Sequence, residues 1–319
     1  DVIGGYRVSD IEVVCAFDIN KSKVGKDLSE AIFEEPNNTV KFAEVPNLGV
    51  NVKPGKVLDG IGKFVEDIID PTEDSENVIK DLKESGAEIL INLLPVGSDE
   101  AVKFYADCAI AANVGFINCI PVFIARDDEW YKKFKDNNVP LIGDDIKSQV
   151  GATIVHRVLA QLFSDRGVNL KRSYQLNVGG NMDFLNMLEE DRLETKRTSK
   201  TSSVTSVANK GKGMDPKNVR IGPSDYVEWL EDRKKAFIRL EGESFGGVPL
   251  NIEVQLEVWD SPNSAGVVID AVRYMKFFKD ADDLESLDLV SAWLMKAPAK
   301  AAKDSDTLQK LHELTHQED

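Results

Sequence analysis

The chain has 319 residues, of which 42% are hydrophobic, and a formal net charge of −16 at pH 7. This length predicts about two domains with a large buried core. The strong negative charge argues against nucleic-acid binding, and no apolar run approaches the ~18 residues that would span a membrane. No signal-peptide pattern opens the sequence and the three cysteines form no C-x-x-C pair, so we expect a cytoplasmic protein with reduced thiols.

The first half of the chain alternates strand and helix patterns. Residues 11–17 form an apolar, β-branched run that predicts a buried parallel strand ending at Asp18. A Rossmann domain places its ribose-binding acid at such a strand end, although Asp also begins turns. Residues 20–82 predict loops with one or two short helices. Strands are predicted at 87–95, 115–121 and 139–145, each followed by a helix, at 99–113 (capped by Ser98), 127–138 and 148–163. This order predicts a doubly wound α/β sheet.

The second half of the chain has a different pattern. Three runs alternate apolar with polar side chains, and they are residues 173–179, 235–242 and 250–259. This alternation, with a period of two residues, predicts an antiparallel sheet with one covered face. Gly246 and Gly247, between the last two runs, indicate a hairpin. A helix is predicted at 183–196, and further helices follow from Asn263.

Five short polar segments stand at predicted strand ends or turns, where functional residues are commonly held on a rigid scaffold. They are residues 143–153, 177–183, 196–203, 232–235 and 259–266. The first joins two acids and a lysine to a small-residue helix start, where free backbone amides can hold a phosphate. The second combines amides, glycines and an acid that can bind polyol hydroxyls. The third clusters cations and hydroxyls that suit a phosphate, and crowded lysines can supply a base. For each segment, an ordinary capped turn or solvated loop is the alternative interpretation.

These segments together resemble the myo-inositol-1-phosphate synthase family, in its shorter bacterial and archaeal branch. The resemblance rests on long, unusual stretches that run in order from Cys15 to Pro298, among them GDDIKSQVGATIVHRVLA, LNVGGNMDFLNMLEEDRLETKRTSKT and VPLNIEVQLEVWDSPNSAGVVIDAVR. It implies an α/β fold with a Rossmann-type, NAD-binding domain formed by residues 1–148 and 261–319. An α+β catalytic domain would be inserted at residues 149–260, with a sheet that also builds a homotetramer.

The resemblance implies the conversion of D-glucose 6-phosphate to 1L-myo-inositol 1-phosphate, with NAD reduced and reoxidised in one cycle. C5 is oxidised, the ketone enolises, the enolate attacks the C1 aldehyde, and hydride returns to C5. Each step moves negative charge onto an oxygen, which fixed ammonium groups stabilise. Matching motifs place the active-site lysines at Lys196, Lys200, Lys234 and Lys296, and the catalytic acid at Asp260. Lys196 would transfer the proton at the C5 oxygen, while Lys234 and Lys296 would stabilise the C1 oxygen.

The same resemblance implies a set of ligand contacts. Substrate hydroxyls would be held by Asn177, Asn181 and Asp183. The phosphate would be surrounded by Ser148, Gln149, Gly151 and Thr153, with help from Lys200. The adenosine ribose of NAD would bind Asp18, and the cofactor would be lined by Leu94, Pro95, Ser98, Asn118, Pro121 and Asp145. Members of the family differ in their need for a divalent or monovalent cation, and no ligand set in this sequence is diagnostic.

One feature of the family is missing from the printed sequence. The family opens with a strand and a Gly-rich turn that cradles the NAD pyrophosphate, and residues 1–5 do not match that turn. We expect an upstream segment to supply both, and a truncated chain without NAD binding is the alternative. Two other functions compete with the synthase. A reductase of the homoserine-dehydrogenase type would not require four lysines at these positions. A catalytically inactive sugar-phosphate sensor or assembly subunit would have lost the dinucleotide turn.

Overall fold

The computed structural model of the chain describes residues 2–72, 77–189, 201, 203–212 and 214–315. Its strands are β1 (Val2–Ile3), β2 (Tyr6–Arg7), β3 (Phe17–Asp18), β4 (Lys53–Pro54), β5 (Ile89–Asn92), β6 (Gly115–Asn118), β7 (Leu141–Ile142), β8 (Asn169–Gly179), β9 (Val219–Tyr226), β10 (Arg233–Glu243) and β11 (Pro249–Trp259). Its helices are α1 (Leu28–Ala31), α2 (Val78–Ser85), α3 (Asp99–Ala112), α4 (Asp128–Asp136), α5 (Ala152–Asp165), α6 (Met182–Asn186), α7 (Asp260–Asp280), α8 (Leu287–Leu294) and α9 (Asp304–Thr315). Every helix among these residues is too short or too polar to cross a membrane.

The first half of the chain forms a parallel sheet with the order β5-β6-β7. Successive side chains of a strand point to opposite faces, and Phe116 and Ile117 of β6 accordingly enter different cores. Phe116 stacks on Phe134 of α4 at a centroid distance of 5.9 Å, in a core shared with α2 and α3. Ile117 packs with Met275 and Phe278 of α7, in a core shared with α8. Helices therefore cover both faces, which confirms the doubly wound α/β sheet.

The second half of the chain forms a four-stranded sheet with the order β11-β10-β8-β9. The strands β8, β10 and β11 are antiparallel as predicted, but β9 joins β8 in parallel. The prediction of a purely antiparallel sheet was therefore wrong at this edge. Residues of α5 cover one face of the sheet, where Phe163 packs with Ile238 and Leu240. Gly246 and Gly247, with φ of 74° and 76°, form the predicted hairpin connection between β10 and β11.

Several predicted elements are shorter than the sequence pattern suggested, including the strands predicted at 87–95, 115–121 and 139–145, which are observed as β5, β6 and β7. The strand predicted at 11–17 is paired only at Phe17 and Asp18, because the residues before Lys53 pair with another segment, as in the bridge between Asn51 and Asp27. The helix predicted at 148–163 begins only at Ala152. Residues before it bond to α7 instead, because the N–H groups of Gln149 and Val150 donate to the carbonyl oxygen and to Oδ1 of Asn263 at 2.9 and 3.0 Å. The helix predicted at 183–196 is observed only as the short α6, which ends at Asn186, and residues 190–200 lie outside the described part of the chain.

Candidate functional site

A cavity of about 1180 Å³ lies at the ends of β3, β5 and β8 and at the starts of β10 and α7. Ligand pockets commonly measure about 300–1,000 Å³, so this one has room for more than one small molecule. Residues predicted from the sequence line much of its wall, namely Asp18, Leu94, Pro95, Ser98, Pro121, Asp145, Ser148, Gly151, Thr153, Asn177, Asn181, Asp183, Lys234, Asp260 and Lys296. Gln149 and Asn118 are not part of this wall, and Lys196 and Lys200 lie outside the described residues.

The ammonium group of Lys234 forms an ion pair with the carboxylate of Asp260. The hairpin places them together, because Lys234 is the second residue of β10 and Asp260 follows directly after β11. The two strands remain paired to their ends, where Arg233 lies opposite Trp259. Both side chains are largely buried, at 15% and 18% exposure. The hydrogen-bond ladder of the hairpin therefore fixes a cation and an anion at the cavity wall.

A second ion pair joins Lys296 to Asp145, with 2.7 Å between Nζ and Oδ1. These residues are far apart in sequence, and a short antiparallel contact brings them together. The backbone N–H of Lys296 donates to the carbonyl oxygen of Asp145 at 2.7 Å, and Asp144 and Ala297 exchange two hydrogen bonds of 3.2 and 3.0 Å. Asp145 has a φ of 61°, a left-handed conformation that is uncommon outside glycine and is found mostly where the surrounding structure enforces it.

The N-terminus of α5 opens into the same cavity. Gly151 is its N-cap and supplies no capping side chain, so the amides of the first turn are available to an anion. Thr153 adds a hydroxyl in this turn. A side chain on Gly151 would lie only 2.9 Å from Cβ of Ser148, which indicates close packing beneath the turn. The hydroxyl of Ser148 lies 3.1 Å from that of Ser264.

The two predicted amides of the substrate site are held by internal hydrogen bonds. Asn177 is 1% exposed; its Nδ2 donates to the carbonyl oxygen of Gly222 at 2.7 Å, and its Oδ1 accepts from Gln175 at 3.0 Å. Asn181 caps α6 by accepting from the N–H of Phe184 at 3.1 Å. Each amide group has two hydrogens and two lone pairs, so both retain bonding capacity for a ligand while their orientation is fixed.

Asn118 lies behind the cavity wall. It is fully buried and donates to Asp144 at 2.7 Å, while it accepts from Asn92 at 2.8 Å. Asp144 also accepts three backbone N–H groups, from Ile124, Ala125 and Arg126. Complete burial raises the pKa of Asp144 to about 7, and these hydrogen bonds oppose the rise. Asn118 thus fixes the loop after β6 rather than facing the cavity.

The wall also contains polar groups that were not predicted as site residues, and two of them are joined by a hydrogen bond. Asp232 is 1% exposed, and Thr39 donates to it from a distant loop at 2.6 Å. The acidic start of the 232–235 run was a weak signal for Asp232, while nothing in the sequence indicated Thr39. Among the described residues, no group of three His, Cys, Asp or Glu side chains is arranged to hold a metal ion.

The fold and the cavity define a class of α/β proteins in which a Rossmann-type sheet and a mixed sheet enclose one site with two lysine–carboxylate pairs. Comparison with known proteins agrees with this class and indicates one family within it. The family model for myo-inositol-1-phosphate synthase matches residues 151–261. The inositol-3-phosphate synthase of Mycolicibacterium smegmatis is 59% identical over 305 residues, which cover 94% of this chain and 84% of that protein. The chain therefore belongs to the myo-inositol-1-phosphate synthase family.

Two further comparisons agree with this assignment. The inositol-3-phosphate synthase of Mycobacterium tuberculosis is 56% identical over 311 residues, covering 97% of this chain and 84% of that protein. The crystal structure of a myo-inositol-1-phosphate synthase-related protein from Thermotoga maritima superposes with a TM-score of 0.76 at 25% identity. That superposition covers 96% of this chain and 87% of the other. The similarity therefore extends across both halves of the fold.

Proposed function

We propose that this protein is an inositol-3-phosphate synthase that converts D-glucose 6-phosphate to 1L-myo-inositol 1-phosphate with NAD as cofactor. The observation that carries the proposal is the convergence of the Lys234–Asp260 and Lys296–Asp145 pairs on one cavity. The 59% identity of the chain to an inositol-3-phosphate synthase supports the same proposal. A reductase that only transfers hydride would not require two such pairs.

The lysine pairs suit a reaction that repeatedly places negative charge on oxygen. Hydrogen bonds to Asp260 and Asp145 hold the ammonium groups of Lys234 and Lys296 before a substrate binds. Groups positioned in advance stabilise developing charge without the cost of reorganising around it. In the proposal both lysines face the C1 oxygen during ring opening and closure, and Asp260 serves as the acid beside Lys234. Lys196, at the C5 oxygen, and Lys200, at the phosphate, stay predictions because both lie outside the described residues.

The phosphate of the substrate is proposed to bind at the N-terminus of α5. The positive end of the helix dipole and the free amides of the first turn favour an anion. Thr153 and Ser148 add hydroxyl groups at this end of the cavity, and Gln149 supports the helix start from behind by packing against Gly266 of α7. The sugar hydroxyls are proposed to bind Asn177, Asn181 and Asp183.

The residues at the strand ends fit a dinucleotide. Asp18 ends β3, where one of its oxygens accepts from the N–H of Asn20 at 2.8 Å while the carboxylate keeps further acceptor capacity for ribose hydroxyls. The cavity wall continues along the loop after β5, with Leu94, Pro95 and Ser98, and includes Pro121 after β6. Ligands of open α/β sheets bind at the carboxyl ends of the strands in this way. When bound, NAD would supply hydride transfer at C5 of the sugar.

In the proposal, the two parts of the fold have separate roles. We propose that residues 1–148 and 261–319 bind NAD, while residues 149–260 bear substrate groups and build a homotetramer. The outer face of the mixed sheet supports this role, because it exposes Tyr174, Leu176 and Phe237 at 36–38%. These three side chains form an apolar patch among charged neighbours such as Arg239 and Glu253, and an apolar patch with a polar rim is typical of a surface that another chain covers. A cytoplasmic location remains part of the proposal.

Replacing Lys296 by Met tests the catalytic assignment. Methionine keeps most of the length and bulk of the side chain and removes the charge, so the C1 oxygen would lose one fixed ammonium group. Loss of one such group commonly lowers kcat by about 100-fold or more, and we expect a loss of this size in inositol phosphate formation with NAD present. Lys300→Met is the matched control, because Lys300 is exposed, pairs with Asp288 and is not on the cavity wall. Near-normal turnover in Lys296→Met, with the control unchanged, would contradict the assignment.

A further inference from the structure

Asp232 is a buried carboxylate on the cavity wall to which the proposed reaction gives no role. Its Oδ1 accepts from Nδ2 of Asn181 and from Oγ of Ser261, both at 2.9 Å. Its Oδ2 accepts from Oγ1 of Thr39 at 2.6 Å and from the N–H of Ser261 at 3.0 Å. No salt bridge to Asp232 is found among the described residues. A buried charge without a counter-ion is costly unless hydrogen bonds compensate for it, so these four donors keep the carboxylate in place.

The four donors belong to separate parts of the cavity wall. Thr39 lies in a loop of the first half of the chain, Asn181 caps α6, and Ser261 is the second residue of α7. The carboxylate of Asp232 therefore joins three parts of the cavity wall. Their residues span more than two hundred positions of the sequence. A hydrogen bond of 2.9 Å from Nδ2 of Asn38 to the carbonyl oxygen of Gly180 strengthens the link to the first loop.

Asp232 is also linked to the Lys234–Asp260 pair, through the backbone of Asp260. It stands two residues before Lys234, and its carbonyl oxygen accepts from the N–H of Asp260 at 2.9 Å. Its carboxylate holds Ser261, the residue after Asp260. The backbone at Asp260 is thus hydrogen-bonded to Asp232 both through the main chain and through the side chain. A displacement of Asp232 would move the anion that orients Lys234.

We propose that Asp232 is a positioning residue for the synthase reaction. It keeps Asn181 and the Lys234–Asp260 pair in their working geometry and ties them to the Thr39 loop. This inference rests on the proposed function, because it assumes that Lys234 and Asp260 act on the substrate. Asp232 itself acts through these neighbours, so its removal should affect the rate of turnover more than the binding of glucose 6-phosphate.

The variant Asp232→Asn tests this inference. Asparagine has the same shape, but its NH₂ group cannot accept a hydrogen bond, so in either orientation two of the four donors lose their acceptor. We expect kcat for inositol phosphate formation to fall by about ten-fold or more through the Lys234–Asp260 pair, while KM for glucose 6-phosphate rises by no more than about three-fold, because Asn181 is one of several proposed substrate contacts. Asp283→Asn is the matched control, because Asp283 likewise accepts from the N–H and hydroxyl of one serine, Ser286, away from the cavity. Its kcat and KM should not change.

A second pair of variants keeps the test valid if Asp232→Asn folds poorly. Thr39→Val removes the hydroxyl that reaches Asp232, and Thr39→Ser retains it. We expect the valine variant to lose turnover and the serine variant to restore most of it, with similar melting temperatures for both. Equal activity in the two variants, or a kcat of Asp232→Asn within two-fold of the unmodified protein, would overturn the inference. If the unmodified protein itself made no inositol phosphate, the proposed function would fail instead.

Discussion

Gly180 lies against the backbone of the turn that precedes Asp232. A Cβ atom on Gly180 would stand 2.5 Å from the carbonyl oxygen of Val227 and 2.6 Å from the nitrogen of Glu231. Backbone atoms cannot move aside as a flexible side chain can. Glu231 itself has a φ of 54°, so this turn is already held in a conformation that few residues adopt. The close approach of two backbones thus requires a glycine at position 180.

We expect the variant Gly180→Ala to distort the site and to destabilise the fold. The added methyl group would push the Glu231 turn away and displace Asp232, with a cost typical of overpacking, about 1–3 kcal/mol of unfolding free energy. We expect a lower melting temperature together with reduced kcat. Gly222→Ala serves as the comparison, because a Cβ at Gly222 meets no atom within 4 Å. Equal stability of the two variants in thermal unfolding would contradict the close-packing argument.

Individual site residues differ in how well the sequence could predict them. Lys234, Asp260 and Lys296 could be assigned from motifs, and they lie together on the cavity wall as that assignment requires. The carboxylate that pairs with each lysine could also be predicted locally, because strand ends and turns commonly place charged groups in clefts. Thr39 could not be predicted, because its contact with Asp232 depends on how two distant segments fold onto each other. Hydrogen bonds of that kind leave no periodic pattern in the chain.

At the scale of elements, the start of α5 is where the proposed phosphate site can be tested. Thr153→Val removes one hydroxyl from the first turn and keeps the size and shape of the side chain, while the backbone amides remain. A lost hydrogen bond to a charged group costs about 1.5–3 kcal/mol, so we expect KM for glucose 6-phosphate to rise by about ten-fold or more. The inhibition constant of inorganic phosphate should rise in parallel. Thr315→Val, at the end of α9 and away from the cavity, should change neither value, and an unchanged KM in Thr153→Val would argue against this site.

Element boundaries were harder to predict than element types. Ser98 was expected to cap α3. Instead, the carboxylate of Asp59, which lies in a distant loop, caps the helix by accepting from the N–H groups of Glu100 and Ala101 at 2.8 and 2.9 Å. The edge strand β9 was missed because Pro223 and Gly222 interrupt its apolar pattern, and because its pairing partner β8 lies some forty residues earlier. Periodicity reports which face of an element is buried, whereas caps and strand neighbours depend on tertiary structure.

At the scale of the whole molecule, His156 is expected to make stability depend on pH. Its ring is fully buried in α5, with Nε2 2.6 Å from Oγ of Ser173 and Nδ1 3.2 Å from Oε1 of Gln175. Burial lowers the pKa of His156 from 6.5 to about 4. On account of this group the unfolded chain binds more protons than the folded one between these values, so the contribution of His156 to the free energy of unfolding falls as pH drops from about 6.5 to 4, while Asp144, with its raised pKa, contributes the opposite trend in both proteins of a comparison.

The pH effect can be isolated by comparing two proteins. A shift of this size corresponds to a loss on the order of 3 kcal/mol across the window. His156→Gln removes the titrating group and keeps hydrogen-bonding capacity, so its stability should fall less steeply over the same range. Chemical denaturation at several pH values between 4 and 7.5 gives the two slopes. Parallel slopes would show that His156 does not carry this dependence.

The most direct test of the central claim is a turnover measurement on the full-length protein. Glucose 6-phosphate and NAD are supplied together, and inositol phosphate is followed directly, because the cofactor is reoxidised within the cycle and no net NADH accumulates. The account predicts product formation that requires NAD and that falls sharply in Lys296→Met but not in Lys300→Met. A folded, assembled protein that forms no inositol phosphate under these conditions would contradict the assignment and favour a sugar-phosphate sensor.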